Sequence, residues 1–438
     1  MTALLLALLA NAFVVPPPET KRHLEVELPA DVARVLAYHS LGDQKVVVAD
    51  GPKAFAELDC AASGSTPAAQ QRYLDLIRLG LERANGADVV RSLFPDKDQK
   101  PADLSFAATM TLHLPLACAV ELENLYGKIV VDGRNAEVRA RNRFAPVEIS
   151  HVMGAVRVEN EFSQVVVRDC LCEVVVEAKS CEVTIERVFG LARVRTSAQK
   201  VRVADVYAAD VETTMAPVTV TRVSRDVRIV APFCAVTAAT IGGALSVTSN
   251  KEPLTVSDIG GDLTIEHKAG TIVARRIRGK ATISGNLSDT TLEDVGGAVD
   301  VKCPYSLVRI ARTGDAKAQN SSRTLEIVDP RGGVDATASG GLVKLHASQL
   351  PADDAAHELT LVANGGALEL ELPPTGSYAL DATSSIGQVE CTLPGFQATL
   401  QGSARVGTLE RGDAKDRKVR LHATCVGGAI RIAAADSR

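Results

Sequence analysis

Residues 236 to 299 read VTAAT IGGALSVTSN KEPLTVSDIG GDLTIEHKAG TIVARRIRGK ATISGNLSDT TLEDVGGAV. Glycine punctuates this stretch every 18 residues, at Gly243, Gly261, Gly279 and Gly297, and returns at Gly333, with Asp315 in the intervening slot. An apolar residue precedes each glycine, giving the column Ile241, Ile259, Ile277 and Val295. Counted backwards in steps of 18, with a single step of 17, the column continues through Val223, Val206, Val188, Cys170 and Val152.

Other columns keep the same period. One reads Val147, Val165, Val183, Val201, Val218, Val236 and Leu254, and half a repeat later comes Val156, Val174, Ala192, Ala209, Val227, Leu245 and Leu263. The short step falls between Val206 and Ala209, where a corner can absorb a missing residue. Within each half-repeat apolar and polar residues alternate, the period of a strand with one buried face. Two such strands make one 18-residue turn. A single turn cannot cover its own apolar face, so turns stack and like side chains form ladders. The fold expected is therefore an all-β single-chain β-solenoid (β-helix) of about a dozen 18-residue turns, about 55 Å long at the usual strand spacing. The regular part is expected over residues 117–348, with irregular β turns closing it over 349–438.

Composition agrees. Hydrophobic residues make up 46% of the 438, but aromatics only 3%, with no tryptophan, so Val, Ile, Leu and Ala must build the core. The 53 acidic and 48 basic residues leave a net charge of −5, which excludes a general nucleic-acid binder. Nine scattered cysteines include no CxxC pair and read as small buried hydrophobes. Thr219, Thr237, Thr255 and Thr291 fall in one outward column and suit a pleated surface.

Residues 13–116 read as N-terminal strands and a cap. Within them Tyr73, Leu74, Ile77, Leu81 and Ala84 stand at helical spacing, and Asp88 to Phe94 can form a second short helix, so a helical insertion is expected over 67–94. At the start, Ala3 to Ala10 form an apolar run, and Ala10-Asn11-Ala12 fits a small-x-small cleavage site, so residues 1–12 read as a signal peptide lacking a basic n-region. The run is too short to span a bilayer, and no transmembrane segment is expected elsewhere.

Motifs of phosphate-binding, metalloprotease and serine-hydrolase chemistry are absent, and no two of the eight histidines stand at metal-ligand spacing. Asp258, Arg276 and Asp294 fall on successive rungs and predict a surface charge ladder rather than a paired-carboxylate hydrolase site. Lys268, Arg275, Arg276, Arg278 and Lys280 form the most basic stretch, and read as a solvated face with an anionic polysaccharide or membrane surface as the alternative. Arg411-Gly412-Asp413 matches a cell-adhesion tripeptide too short to carry weight, and Asn286 and Asn320 open sequons. No catalytic, cofactor-binding or metal-binding residue is therefore expected, and no cofactor.

The run Val120 to Val131 (VELENLYGKIVV), with Gly154 to Phe162 and Ile386 to Cys391, resembles a recurrent phrase of the bacterial putative-adhesin family: an apolar strand, Asn, then Gly-x-Ile/Val-x-Val. The resemblance covers most of residues 20–435. It implies an extracytoplasmic β-solenoid of unknown function, periplasmic, secreted or envelope-associated, with no catalytic residues to carry over. The expected function is a non-catalytic exported structural or adhesion-like scaffold, its partner a glycan, a cell-envelope component or a second copy. The alternatives are a self-assembling filament, resembling the bactofilins in turn length, and, further off, a carbohydrate-active β-helix enzyme.

Overall fold

The computed structural model describes residues 19–435 except 52, 198, 352–354, 414 and 416. The expected signal peptide lies outside the described residues. The chain divides into two compact units, residues 1–171 and 172–438.

The first unit contains β1 (Thr20–Glu27), β2 (Arg34–His39), β3 (Asp43–Val48), β4 (Phe55–Gly64), α1 (Pro67–Leu74), β5 (Arg78–Ala84), β6 (Ala87–Leu93), β7 (Leu104–Leu114), β8 (Ala119–Asn124), β9 (Ile129–Arg134), β10 (Val138–Asn142), β11 (Val147–Val152), β12 (Val156–Glu161) and β13 (Gln164–Cys170). Strands eighteen residues apart pair in parallel and in register: Val120 with Val138 with Val156, and Ile129 with Val147 with Val165. The 18-residue columns are thus real ladders, and their inward members are buried.

The cap departs from simple winding. The first coil turn in sequence, β2–β3, is threaded between β6–β7 and β8–β9. Beyond it, β4 runs antiparallel on β7, β1 antiparallel on β4, and β5 antiparallel on β6. Antiparallel edges end the parallel stack and blunt further strand addition.

The expected helical insertion over 67–94 is helical only across Pro67–Leu74, where Thr66 caps the first turn. Arg78 to Leu93 is a hairpin instead. Its tip is Asn85-Gly86, with φ of +52° and +76°, the positive pair that a type I′ turn requires. The 3.6-residue apolar spacing through Ala84 was coincidental, and the Asn-Gly step overrode it.

The second unit carries the same parallel register from Val174 onward. The 17-residue step lies where expected, with pairing shifting between Val188 and Leu191 opposite Val206 and Ala208. A second shortening was not anticipated. Val299 pairs with Ala316, so Gly314, not Asp315, fills the slot after Gly297, and the glycine column runs on to Gly332 rather than Gly333. The C-terminal end repeats the threading of the N-terminal cap. The last turn in sequence, Val419–Val426 and Ile430–Ala434, lies between His357–Asn364 with Ala367–Leu372 on one side and Tyr378–Ser384 with Val389–Cys391 on the other. Ala404–Arg411 then pairs antiparallel with Tyr378–Ser384 and closes that edge.

Two details make the coil turn. Each rung has a residue in the left-handed region just before the corner apolar: Gly133, His151 and Asp169 in the first unit, then Arg187, Asp205, Arg222, Thr240, Asp258, Arg276, Asp294 and Arg312 in the second. Two outward residues then stand together before the next inward one, as in Val147 to Val152, which is a bulge repeated at every corner. Thr240 suits this backbone worst, because β-branched side chains are crowded at positive φ. Thr240→Asn is expected to raise stability by about 1 kcal/mol, read as the denaturant midpoint of unfolding; a lower midpoint would contradict the strain.

The second detail is a buried polar column at the other corner. It holds His39, Asn124, Asn142 and Asn160 in the first unit, and Thr196, Thr213, Ser249, His267 and Asn320 in the second. Asn124 Nδ2 donates to the carbonyls of Gly42 (2.9 Å) and Gly127 (3.1 Å), and Asn142 Nδ2 to Gly127 (2.8 Å) and Ala145 (3.0 Å). These amides satisfy turn carbonyls that the ladders leave unpaired. Among the described residues no helix is long and apolar enough to cross a membrane.

Candidate functional site

The charge ladder expected on the second unit is present. Arg276 holds Asp258 through two bonds of 2.6 and 2.8 Å, Arg312 holds Asp294 at 2.8 and 2.9 Å, and Arg222 holds Asp205 at 2.6 and 2.7 Å. The arginine bonds keep these carboxyls below the ordinary carboxylate range, fully ionised and occupied. Arg222, Asp258, Arg276 and Asp294 of these pairs edge an open groove of about 850 Å³ over Gly242, Gly260 and Gly296. Solvent screens such exposed pairs, so they add little stability, and none of these carboxylates is poised as an acid or base. The basic stretch is partly neutralised the same way, because Arg275 pairs with Glu293 (3.2 Å) and Arg276 with Asp258.

Other sequence signals resolve simply. The threonine column runs Thr219, Thr237, Thr255 and Thr291, with Val273 interrupting it. Arg411 is tied to the Pro374 carbonyl, so the adhesion tripeptide is not freely presented. Asn320 is buried with its amide on Ser306 (2.7 Å), which closes that sequon, whereas Asn286 is exposed. Seven of the nine cysteines are buried, while Cys172 is exposed and Cys391 half-buried. Burial pushes Cys60 and Cys118 up to about 11, so they stay protonated thiols.

A cleft that no single sequence stretch announced lies in the first unit. Three chain segments build its wall in backbone contact: 106–109 of β7, 41–43 leading into β3, and the turn after β8. Glycine is required where they meet. A Cβ on Gly42 would stand 2.0 Å from the Ala108 carbonyl oxygen, and one on Gly127 would stand 1.6 Å from that of Gly42. Asn124 bonds this seam, and the Lys128 amide donates to Asp43 (3.0 Å). The result presents Tyr126 beside Leu41 and Phe106, with Tyr73 of α1 at the back and Lys97 and Lys100 at the rim, around about 710 Å³.

The rings form two files. Tyr73, Phe106, Phe94 and His39 follow edge to face at 5.5, 5.6 and 5.5 Å. Tyr126, Phe144 and Phe162, each 18 residues from the next, stack nearly parallel at 5.3 and 5.7 Å. Tyr126 is nevertheless 57% exposed, and it covers Phe144 on one side while lining the cleft with the other. Tyr73 is buried to 3% exposure, and burial pushes its phenol up, yet its hydroxyl has no hydrogen-bond partner among the described residues. Lys97 and Lys100 likewise lack a carboxylate partner among the described residues. Aromatic faces, unused hydroxyls and free ammonium groups in one concavity suit a ring-shaped polar ligand carrying negative charge. The 18-residue spacing of Tyr126, Phe144 and Phe162 was the available sequence signal.

No family model and no curated protein matches the chain. Among solved structures it is similar to a "putative cell adhesion protein" from Clostridium sporogenes ATCC 15579, at 8% identity over 94% of this chain and 99% of that one, with a TM-score of 0.18. It is also similar to a "putative adhesin" from Bacteroides fragilis NCTC 9343, at 11% identity over 65% and 97%, TM-score 0.22, and to a "Putative lipid binding protein" from Parabacteroides distasonis ATCC 8503, at 11% over 64% and 95%, TM-score 0.23.

Proposed function

We propose that the protein is a non-catalytic, exported binding module whose coil is a scaffold for the aromatic cleft, and that the cleft takes the end of an acidic glycan. The observation that supports this reading is the convergence of Tyr73, Phe106 and Tyr126 with the unpaired Lys97 and Lys100. A sugar ring lies against the free face of Tyr126, its hydroxyls meet the phenols, and its carboxylate or sulfate meets the ammonium groups. The filament reading is disfavoured by the antiparallel edges of both caps, which oppose continuation of a parallel coil.

The test is an array of acidic and neutral oligosaccharides, followed by calorimetry on the best acidic one. Tyr126→Ala, and separately Lys97→Gln with Lys100→Gln, are each expected to weaken binding about tenfold, the worth of one such contact. The oligosaccharide should be recovered unchanged, and the native chain should be found outside the cytoplasm beginning at Phe13. Binding that ignores both variants, or no acidic hit, overturns the cleft; a shortened oligosaccharide overturns the non-catalytic reading; a cytoplasmic full-length chain overturns export.

A further inference from the structure

The outer face of the antiparallel trio β1–β4–β7 carries a cluster of histidines and carboxylates that is unmatched among the described residues. His23 stands directly opposite Asp59, and Glu25 directly opposite Glu57, while His113 of β7 is one step diagonal from Glu57. His23 Nδ1 lies 2.8 Å from Asp59 Oδ1, its Nε2 lies 3.8 Å from Glu25, and His113 Nε2 donates to Glu57 Oε1 at 3.0 Å. Phe55 stacks on the His113 ring at 4.1 Å and holds it. One ligand atom from each of His23, Glu57 and Asp59 lies within 4.8 Å of the others.

Two things separate this cluster from an ordinary polar surface. The corner carboxylates Asp205, Asp258 and Asp294 each have an arginine bonded to them, but here three carboxylates meet only histidine. Glu25 facing Glu57 is also a like-charge cross-strand pair, an arrangement that costs stability unless a cation lies between or beside it. From this geometry we infer that His23, Glu57 and Asp59 form a binding site for a divalent transition-metal ion of the zinc class.

One imidazole and two carboxylates are a borderline donor set, suited to zinc or manganese and poor for a soft ion. Zinc holds such donors at about 2.0–2.2 Å, so a tetrahedral arrangement needs them about 3.3 Å apart. The exposed side chains of His23 and Asp59 reach that by rotamer adjustment, and the central strand β4 fixes Glu57. The ion would neutralise the facing glutamates and join β1 to β4, fastening the outermost strand of the cap. Sequence spacing gave no sign of this, because the ligands come from strands 36 residues apart.

The experiment is calorimetric titration of the full chain, stripped with EDTA, with Zn²⁺, alongside Mn²⁺ and Ca²⁺. One Zn²⁺ per chain is expected to bind, with Ca²⁺ at least tenfold weaker, and saturating Zn²⁺ should raise the unfolding temperature reversibly to EDTA. His23→Ala and Asp59→Asn should each weaken binding at least tenfold. His346→Ala, which removes a lone histidine–glutamate pair in the second unit, should leave it unchanged. Circular dichroism verifies that each variant is folded. No binding, binding indifferent to both cluster variants, or an equal loss in His346→Ala overturns the site. None of these outcomes bears on the aromatic cleft.

Discussion

Gly366→Ala is expected to unfold the C-terminal cap. Gly341, Gly366, Gly428 and Gly387 follow one another up the stack in spatial order, across rungs that the sequence visits out of order. A Cβ on Gly366 would stand 1.7 Å from the Gly341 carbonyl oxygen, and one on Gly428 would stand 1.7 Å from that of Gly366. Those on Gly341 and Gly387 would meet carbonyl oxygens at 2.0 and 1.9 Å. The obstacle is backbone held in parallel ladders on both sides, so no side chain can swing away. Relief requires the rungs to separate, breaking the ladder that carries Leu359, Leu361 and Leu368 in the core. The expected cost is about 3 kcal/mol or more, at the upper end for overpacking. Thermal unfolding and limited proteolysis read it, the latter as early cleavage within the last rungs. Gly80→Ala is the comparison, because that glycine has nothing nearer than 4.0 Å and an ordinary backbone. If Gly366→Ala melts like Gly80→Ala, close backbone approach is not what selects glycine in this column.

The coil was legible because its determinants recur: one apolar residue per 18 at each inward position marks a ladder whatever its neighbours are. The shortened step at Val206 was legible for the same reason. What escaped was either local and overriding or wholly non-local. Asn85-Gly86 fixes a hairpin whose flanks carry helical spacing, and a two-residue turn outweighs such a pattern. The threading of β2–β3 between β6–β7 and β8–β9 joins Val35 to Val120 and to Asp88, and no periodicity encodes which turn lies beside which. The cleft is similar. Tyr73, Lys97, Phe106 and Tyr126 are brought together by that threading and by Gly42 and Gly127, so only the Tyr126–Phe144–Phe162 file could be read in advance.

The buried polar column carries the second large effect, a loss of stability between neutral pH and pH 4. His39 and His267 occupy this column, and each makes one bond to a serine on the adjacent rung: His39 Nδ1 to Ser92 Oγ and His267 Nδ1 to Ser249 Oγ, both 2.8 Å. In both the other ring nitrogen, Nε2, is buried without a partner. Burial disfavours the imidazolium. It pulls His39 down to about 4, against a smaller opposing pull from Asp43, and it lowers His267 in the same direction. The unfolded chain takes up both protons near pH 6.5, whereas the folded chain holds off the His39 proton until about pH 4 and takes up the His267 proton only below the ordinary imidazole range, so the unfolded state binds more protons as pH falls from 6.5 toward 4. Stability therefore falls as pH drops from 6.5 to 4, by about 3 kcal/mol for His39 alone, and levels off below. The arginine-held aspartates act in a different window, since their contribution is lost only below the ordinary carboxylate range. His39 pairs in register with Asn124, so His39→Asn places the column's own residue there. That variant should keep its stability nearly level from pH 6.5 to 4.5 where the parent declines, measured as chemical unfolding of the first unit. A parent that loses nothing over that range, or a variant that declines as steeply, would mean that the buried imidazole is hydrated and does not set the acid limit of the fold.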